Sequence, residues 1–120
     1  IRLPFILNTT KNTVIAQKGK VADTFFSRMI GLLGRNSLQE EEALVITRCQ
    51  SIHMFFMRFA IDTIFVDKAN RVVGMVKGIK PFQISPIFFN ASYVIELPER
   101  KIVQTGTALG DRINVSSPSR

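Results

Sequence analysis

The chain is organised around the stretch CQSIHMFFMRFAID, residues 49–62. It contains the only cysteine and the only histidine of the chain, two of its four methionines, and an arginine four positions before an aspartate. From residue 52 to residue 66 the sequence is almost continuously apolar, and runs of this kind are typical of buried structure. We therefore expect this run to form part of the core.

A second apolar run, Val72–Val76, follows the polar segment Asp67–Arg71. A four- or five-residue turn, in which Asn70 adopts a positive φ, would join the two runs in a β-hairpin. Turn-forming residues also separate two short β-prone runs near the start of the chain, which predicts an opening hairpin. The predicted strands outside the central hairpin lie at 3–7, 13–18, 43–47 and 92–97, with a closing strand that ends at 115.

One helix is predicted, over residues 22–33. Its apolar positions follow the i, i+3, i+4, i+7 spacing of a single helical face, and Asp23 and Gly34 suit its two ends. Six or more short strands and one helix predict an α+β fold. We expect a mostly antiparallel, barrel-like or curled sheet with this helix packed on it, a single domain over 1–115, and a loose tail over 116–120.

Two prolines, Pro81 and Pro86, remove hydrogen-bond donors from the segment between them, so it is predicted to be irregular or to lie at a sheet edge. Phe82, Phe88 and Phe89 would form a binding patch if exposed and would cap the core if buried. Large apolar side chains are usually inside, so we expect burial.

The composition excludes several classes of protein. The net charge of +7 suits an anionic partner, but the basic residues are scattered and the longest basic run is Arg100–Lys101, which favours a solvated surface over nucleic-acid binding. No apolar run approaches the ~20 residues of a spanning helix. A single cysteine excludes an internal disulfide. Because the apolar runs are short, we expect a soluble protein. The chain starts at Ile1 without a methionine, so it could be cytoplasmic or exported after removal of an upstream signal.

Cys49 and His53 form a candidate thiol and imidazole site. With Met57 on the same face of an extended segment, they would be a soft ligand set of the kind that binds copper. They would also suit a nucleophile and base. However, positions four apart on a strand are separated by ~13 Å, which argues against both roles unless the chain bends. The alternative is a thiol and thioether that fill the core, and no metal or cofactor is predicted.

Arg58 and Asp62 are the strongest candidates for a ligand site. Burial of an isolated charge among Met, Phe and Ile costs roughly several kcal/mol. If buried, Arg58 and Asp62 would therefore each require a partner. That partner is either another charged group of the chain (each other, Glu96 or Asp111) or a polar ligand in a cleft.

Several motifs, in order along the chain, resemble those of the domain of unknown function family 192 of bacteria and archaea. They are FMRFAIDTIFVD (56–67), ADTFFSRMIGLLG (22–34), Glu96-Leu-Pro98 and Gly110-Asp111. The resemblance implies a compact β-rich domain with one helix and no assigned activity. Members with Trp-Met-Lys in the central motif often lack the Cys and His, which shifts the emphasis to Met57, Arg58 and Asp62.

These observations predict a small non-enzymatic ligand-binding or accessory domain with a polar cleft near Arg58 and Asp62. Its predicted ligand-binding residues are Met57, Arg58, Asp62, Glu96 and Asp111. The alternatives are a Cys/His-dependent hydrolase that uses Cys49 and His53, or a basic nucleic-acid-binding module. The expected partner is an unidentified small molecule or protein.

Overall fold

The chain folds into two β-sheets and a short helix in a computed structural model that describes residues 4–22, 35–55 and 57–116. The helix, α1, spans Lys101–Thr105. The strands are β1 (Phe5–Asn8), β2 (Thr13–Ala16), β3 (Lys18–Ala22), β4 (Glu42–Thr47), β5 (Ile61–Val66), β6 (Val72–Ile79), β7 (Tyr93–Pro98) and β8 (Ile113–Ser116). The predicted α+β class and the predominance of β-structure are thus confirmed.

The larger sheet has the strand order β3-β4-β7-β5-β6, and the smaller has the order β2-β1-β8. All the strand pairs are antiparallel except β3–β4, which is parallel. The prediction of a mostly antiparallel arrangement is therefore confirmed. Both sheets are open as far as their strands are described, so the predicted barrel is not confirmed.

The two predicted hairpins are both present. β1 pairs with β2, and β5 pairs with β6 across the turn that follows Val66. Asn70 has a φ of 63° in that turn, as its tolerance of the left-handed region predicts. The Asp67 carboxylate accepts the N–H groups of Ala69 and Arg71, both at 2.9 Å, and so fixes the turn from within.

Each face of the larger sheet covers its own hydrophobic cluster. One face, with Val45, Ile64 and Ile95, packs against residues of the smaller sheet and of α1. The other face, with Phe65 and Val94, packs against the irregular segments on either side of the β5–β6 hairpin. Because both faces are covered, the central strands carry apolar residues on both faces, and β5 is buried along its whole length.

The predicted helix over 22–33 lies outside the described residues, apart from Ala22, which ends β3. The described helix, α1, was not predicted, because five residues are too few to show a helical period. Its N-cap, Arg100, and its C-cap, Gly106, both have left-handed φ values. Among the described residues, no helix is long and apolar enough to cross a membrane.

The described residues 49–55 and 57–60 are irregular, as is the segment 81–92, and hydrogen bonds join residues 50–54 to residues 82–88. A single isolated bridge joins His53 to Ile84. The first segment is thus not an extended strand, so Cys49, His53 and Met57 do not share one face by strand alternation. The prediction that the segment between Pro81 and Pro86 is irregular is confirmed. The expectation that its phenylalanines are buried is wrong for two of them, since Phe82 is 74% and Phe89 77% exposed.

Candidate functional site

Asp62 is a buried carboxylate that joins three elements of the fold. It lies at an irregularity in the β5–β6 pairing and is 1% exposed. Its Oδ1 accepts the N–H of Gly78 in β6 at 2.8 Å, and its Oδ2 accepts the N–H of Ile102 in α1 at 2.9 Å. Since the N-cap of α1 makes no side-chain cap hydrogen bond, Asp62 supplies an acceptor to the first turn from a distant strand.

The structure separates Arg58 from Asp62. Arg58 is exposed, whereas Asp62 is buried with both oxygens engaged by backbone donors, and the described contacts include no ion pair between them. Met57 is buried in the hydrophobic cluster that covers the outer face of the larger sheet. The Met57 N–H donates a hydrogen bond to the Met54 carbonyl at 3.2 Å and closes a turn just before Arg58. The Met57 side chain is buried, whereas the side chain of its neighbour Arg58 is exposed.

Glu96 lies at the centre of the larger sheet. It is fully buried in β7, opposite Leu44 of β4 and Thr63 of β5. Strand alternation places it on the same face as Phe65 and Val94, which belong to the outer hydrophobic cluster. The carboxylate therefore lies beneath this cluster and is not exposed to solvent.

Asp111 belongs to a polar network that joins the first turn of the chain to the loop before β8. Its Oδ2 accepts hydrogen bonds from Asn8 Nδ2 at 2.9 Å and from the Ala108 N–H at 3.0 Å, and Lys11 Nζ lies 2.8 Å from both oxygens. Burial alone would raise the pKa of this carboxyl, but the donors from Asn8, Lys11 and Ala108 outweigh it and lower the pKa. The network therefore holds Asp111 ionised.

Cys49 and His53 lie in the irregular segment before β5. Cys49 is half-buried, and its Sγ donates a hydrogen bond to the Ser51 carbonyl at 3.1 Å. The His53 ring stacks on Phe55 with ring centroids 4.8 Å apart. In the described ranges, no group of three or more His, Cys, Asp or Glu side chains is arranged to hold a metal ion.

A cleft with a mixed polar and apolar lining lies between the two sheets, and none of the predicted site residues described above lines it. It has a volume of about 420 Å³. Its apolar wall is formed by Val21, Val45, Ile113 and Val115, and its polar groups come from Thr9, Thr47, Asn70, Tyr93, Arg112 and Asn114. A volume of this size with a few convergent polar groups is typical of a small-molecule site.

One wall of this cleft comes from the edge strand of the larger sheet. Val21 lies on this strand, β3, opposite Val45, and is 56% exposed. The far wall is fixed by the hydrogen bond from the Ile113 N–H to the Asn70 carbonyl, 2.8 Å. An apolar wall is thus left open beside a ring of polar groups.

Tyr93 is the most perturbed titratable group of the cleft. Its hydroxyl donates a hydrogen bond to Asn70 Oδ1 at 3.0 Å. Burial, assisted by the negative charge of Asp67, raises the pKa of Tyr93 to about 12. The phenol therefore remains a protonated donor at neutral pH. Arg112 adds a positive charge, and the described residues that line the cleft include no carboxylate.

A family profile described as an uncharacterised ACR, DUF192, matches residues 6–115. The chain belongs to the DUF192 family. This confirms the family predicted from the central and flanking motifs. No activity is assigned to the DUF192 family under this description, so membership establishes kinship and fold rather than chemistry.

Two archaeal relatives and one solved structure show how far the similarity of this DUF192 chain extends. A UPF0127 protein from Thermococcus sibiricus is 35% identical over 91% of this chain and 73% of its own length. Another from Pyrococcus horikoshii is 36% identical over 90% of this chain and 96% of its own. A protein of unknown function from Novosphingobium aromaticivorans has the same fold, with a TM-score of 0.80, 22% identity, and coverage of 94% and 84% of the two chains.

Sequence reasoning missed the cleft of this DUF192 domain, because its lining residues are spread from Thr9 to Val115. No local motif connects them. The only available signal was the chain's single tyrosine, at the start of a strand that is apolar apart from Tyr93 and Glu96. A phenol in such a position usually has a specific hydrogen-bond partner.

Proposed function

We propose that this DUF192 domain is a non-enzymatic binding domain whose ligand occupies the cleft between the two sheets. The observation that carries the proposal is the cleft lining, in which one open apolar wall faces Tyr93, Arg112 and Asn70. The proposed ligand is a small anionic molecule with an apolar or aromatic body. Its negative group would bind Arg112, and its body would cover Val21.

The contacts of Asp62 and Asp111 support a site in this cleft over one at the residues predicted from sequence. Backbone N–H groups bind both oxygens of Asp62, and Lys11 and Asn8 bind Asp111, so these carboxylates already have the partners that their burial requires. A ligand site that includes Met57, Arg58, Asp62, Glu96 and Asp111 stays a prediction from sequence.

Benzoate is a suitable probe, because it combines a carboxylate with a small aromatic body. We expect its addition to shift the amide resonances of Val45, Tyr93 and Val115 in a ¹H–¹⁵N correlation spectrum. Benzamide has the same shape without the charge and is expected to bind more weakly. A charge-assisted hydrogen bond contributes about 1.5–3 kcal/mol, so Arg112→Gln should weaken benzoate binding by about tenfold or more.

Two further variants make this experiment decisive. Lys68→Gln removes one positive charge from an exposed turn residue that does not line the cleft, so it should bind benzoate like the unaltered protein. Val21→Trp should abolish binding, because the larger side chain fills the open wall. Equal binding by Arg112→Gln and Lys68→Gln would refute the proposal. Resonance shifts centred on Met57 and Arg58 would also refute it and would favour the site predicted from sequence.

A further inference from the structure

Five large apolar side chains are exposed on two neighbouring segments, residues 50–55 and 82–89, which we call the aromatic ribbon. Main-chain hydrogen bonds join the segments, among them Met54 N–H to the Gln83 carbonyl and Ser85 N–H to the Ile52 carbonyl, both 2.9 Å. The exposed side chains are Phe55 (43%), Phe82 (74%), Ile84 (63%), Ile87 (56%) and Phe89 (77%). Monomeric soluble proteins rarely expose so much contiguous apolar surface without a function.

The aromatic ribbon is anchored from beneath. Ile52 and Met54 are buried in the outer hydrophobic cluster, and Phe88 packs on Phe65 with ring centroids 4.5 Å apart. The Ser85 hydroxyl accepts the Ile52 N–H at 2.9 Å. The ribbon thus has an inner side that is bound to the domain and an outer side that carries the exposed residues.

Phe82 has a φ of 69°, which a bulky residue seldom adopts. Its N–H is bonded to the Met54 carbonyl at 2.9 Å, so the ribbon holds the backbone in this conformation while the ring points to solvent. Strained backbone of this kind persists where the surrounding structure enforces it, and it often accompanies a functional site.

The charged residues in the two ribbon segments and their flanks along the chain have one sign. Residues 48–60 and 80–92 contain no aspartate or glutamate, whereas Arg48, Arg58 and Lys80 lie within them and are exposed. Lys80 is held in the turn before Phe82, because its N–H bonds Gln83 Oε1 at 2.7 Å and its carbonyl accepts the Gln83 N–H at 3.1 Å. The exposed apolar residues are therefore flanked by cations.

We propose that the aromatic ribbon binds the surface of an anionic lipid bilayer, with Phe82 and Phe89 inserted at the headgroup boundary. Apolar side chains that enter this boundary and cations that meet anionic headgroups are the two components of peripheral membrane binding. A membrane is favoured over a protein partner because the charged residues within the two segments and their flanks are all cations. Such a set fits a uniformly negative surface.

Vesicle sedimentation tests the proposal with the whole chain. The protein should bind vesicles of phosphatidylglycerol and phosphatidylcholine, and should bind pure phosphatidylcholine far more weakly. The double variant Phe82→Asn/Phe89→Asn should lower the partition coefficient by at least about tenfold, because two aromatic side chains no longer leave water. Asparagine also tolerates the positive φ at residue 82.

A control variant removes two exposed apolar side chains elsewhere. Val103 and Leu109 are 68% and 65% exposed and lie outside the aromatic ribbon, so Val103→Asn/Leu109→Asn should bind vesicles like the unaltered protein. Arg58→Gln/Lys80→Gln should lower binding by about fivefold for each charge. Lys20→Gln/Lys68→Gln, with the same change in net charge, should have a smaller effect.

A second readout does not depend on how the asparagine variants fold. The chain contains no tryptophan, so Phe89→Trp introduces a single fluorophore in the aromatic ribbon. Its emission should shift to the blue when anionic vesicles are added, and that of Val103→Trp should not. The proposal would be overturned if the emission of Phe89→Trp and Val103→Trp shifted equally. It would also be overturned if the unaltered protein did not bind anionic vesicles, or bound neutral vesicles equally well. A dimer in solution that Phe82→Asn/Phe89→Asn dissociates would also overturn it, since the aromatic ribbon would then be a protein interface.

Discussion

Replacing Asp62 by alanine tests whether this buried carboxylate holds the fold together. It accepts the Gly78 N–H at 2.8 Å and the Ile102 N–H at 2.9 Å, and it is 1% exposed. A hydrogen bond to a charged group contributes about 1.5–3 kcal/mol, and an unpaired buried donor costs a similar amount. We therefore expect Asp62→Ala to lower the free energy of unfolding by about 3–5 kcal/mol.

This loss is large compared with the roughly 5–15 kcal/mol that stabilise a typical domain. Asp62→Asn should have an intermediate effect of about 2–3 kcal/mol. Its amide oxygen can still accept one of the two N–H groups, but its NH₂ group directs a donor at the other. The free energy of unfolding should therefore decrease from the unaltered protein to Asp62→Asn and further to Asp62→Ala.

Asp67→Ala is the matched control. Asp67 also accepts two backbone N–H groups, those of Ala69 and Arg71 at 2.9 Å, but it does so in an exposed turn. Water can replace the carboxylate there, so this variant should lose less than about 1 kcal/mol.

Urea-induced unfolding, followed by circular dichroism and extrapolated to water, gives the free energies to be compared. If Asp62→Ala loses no more stability than Asp67→Ala, the two hydrogen bonds of Asp62 do not anchor β6 and α1. The carboxylate would then be available for a ligand, as the sequence alone predicted.

Three further predictions follow from other contacts. Tyr93 is the only tyrosine, so ultraviolet absorbance of the phenolate should give its pKa of about 12 directly. Because this pKa is raised, folding favours the protonated phenol. This contribution to stability is present below pH ~10 and is lost as the pH rises towards 12. Asp111 has a lowered pKa, so its stabilisation is present above pH ~4 and is lost as pH falls through the folded value; Asp111→Asn should flatten this acid dependence in urea titrations at different pH values. Gly74→Ala should lower stability by about 1–3 kcal/mol in thermal unfolding, because the added Cβ would overlap the Phe88 ring.

The sequence by itself determined most of the strands and their local connections, although β3 was not predicted as a separate strand. Apolar runs separated by turn residues predicted the β1–β2 and β5–β6 hairpins, and the tolerance of Asn70 for positive φ predicted the turn between β5 and β6. Family membership also followed from motifs that keep their order along the chain. These features depend on neighbouring residues, so a local pattern is sufficient to specify them.

Only the tertiary structure decided what the charged residues contact. The two donors to Asp62 lie 16 and 40 positions away, and Asn8 lies 103 positions from Asp111. The expected pairing of Arg58 with Asp62 relied on their separation of four, but the chain between β5 and the preceding segment turns and places one in solvent and the other in the interior. Sequence spacing cannot specify a partner that approaches from another strand.

Exposure was the other property that only the assembled fold decided. Phe82 and Phe89 have the same apolar character as the buried Phe65, yet the first two point to solvent because the inner side of the aromatic ribbon is filled by other residues. The cleft beside Val21 is lined by residues from several strands, which only the assembled sheets bring together. A hydrophobic side chain is favoured in the interior, but the arrangement of the sheets determines which side chains are buried.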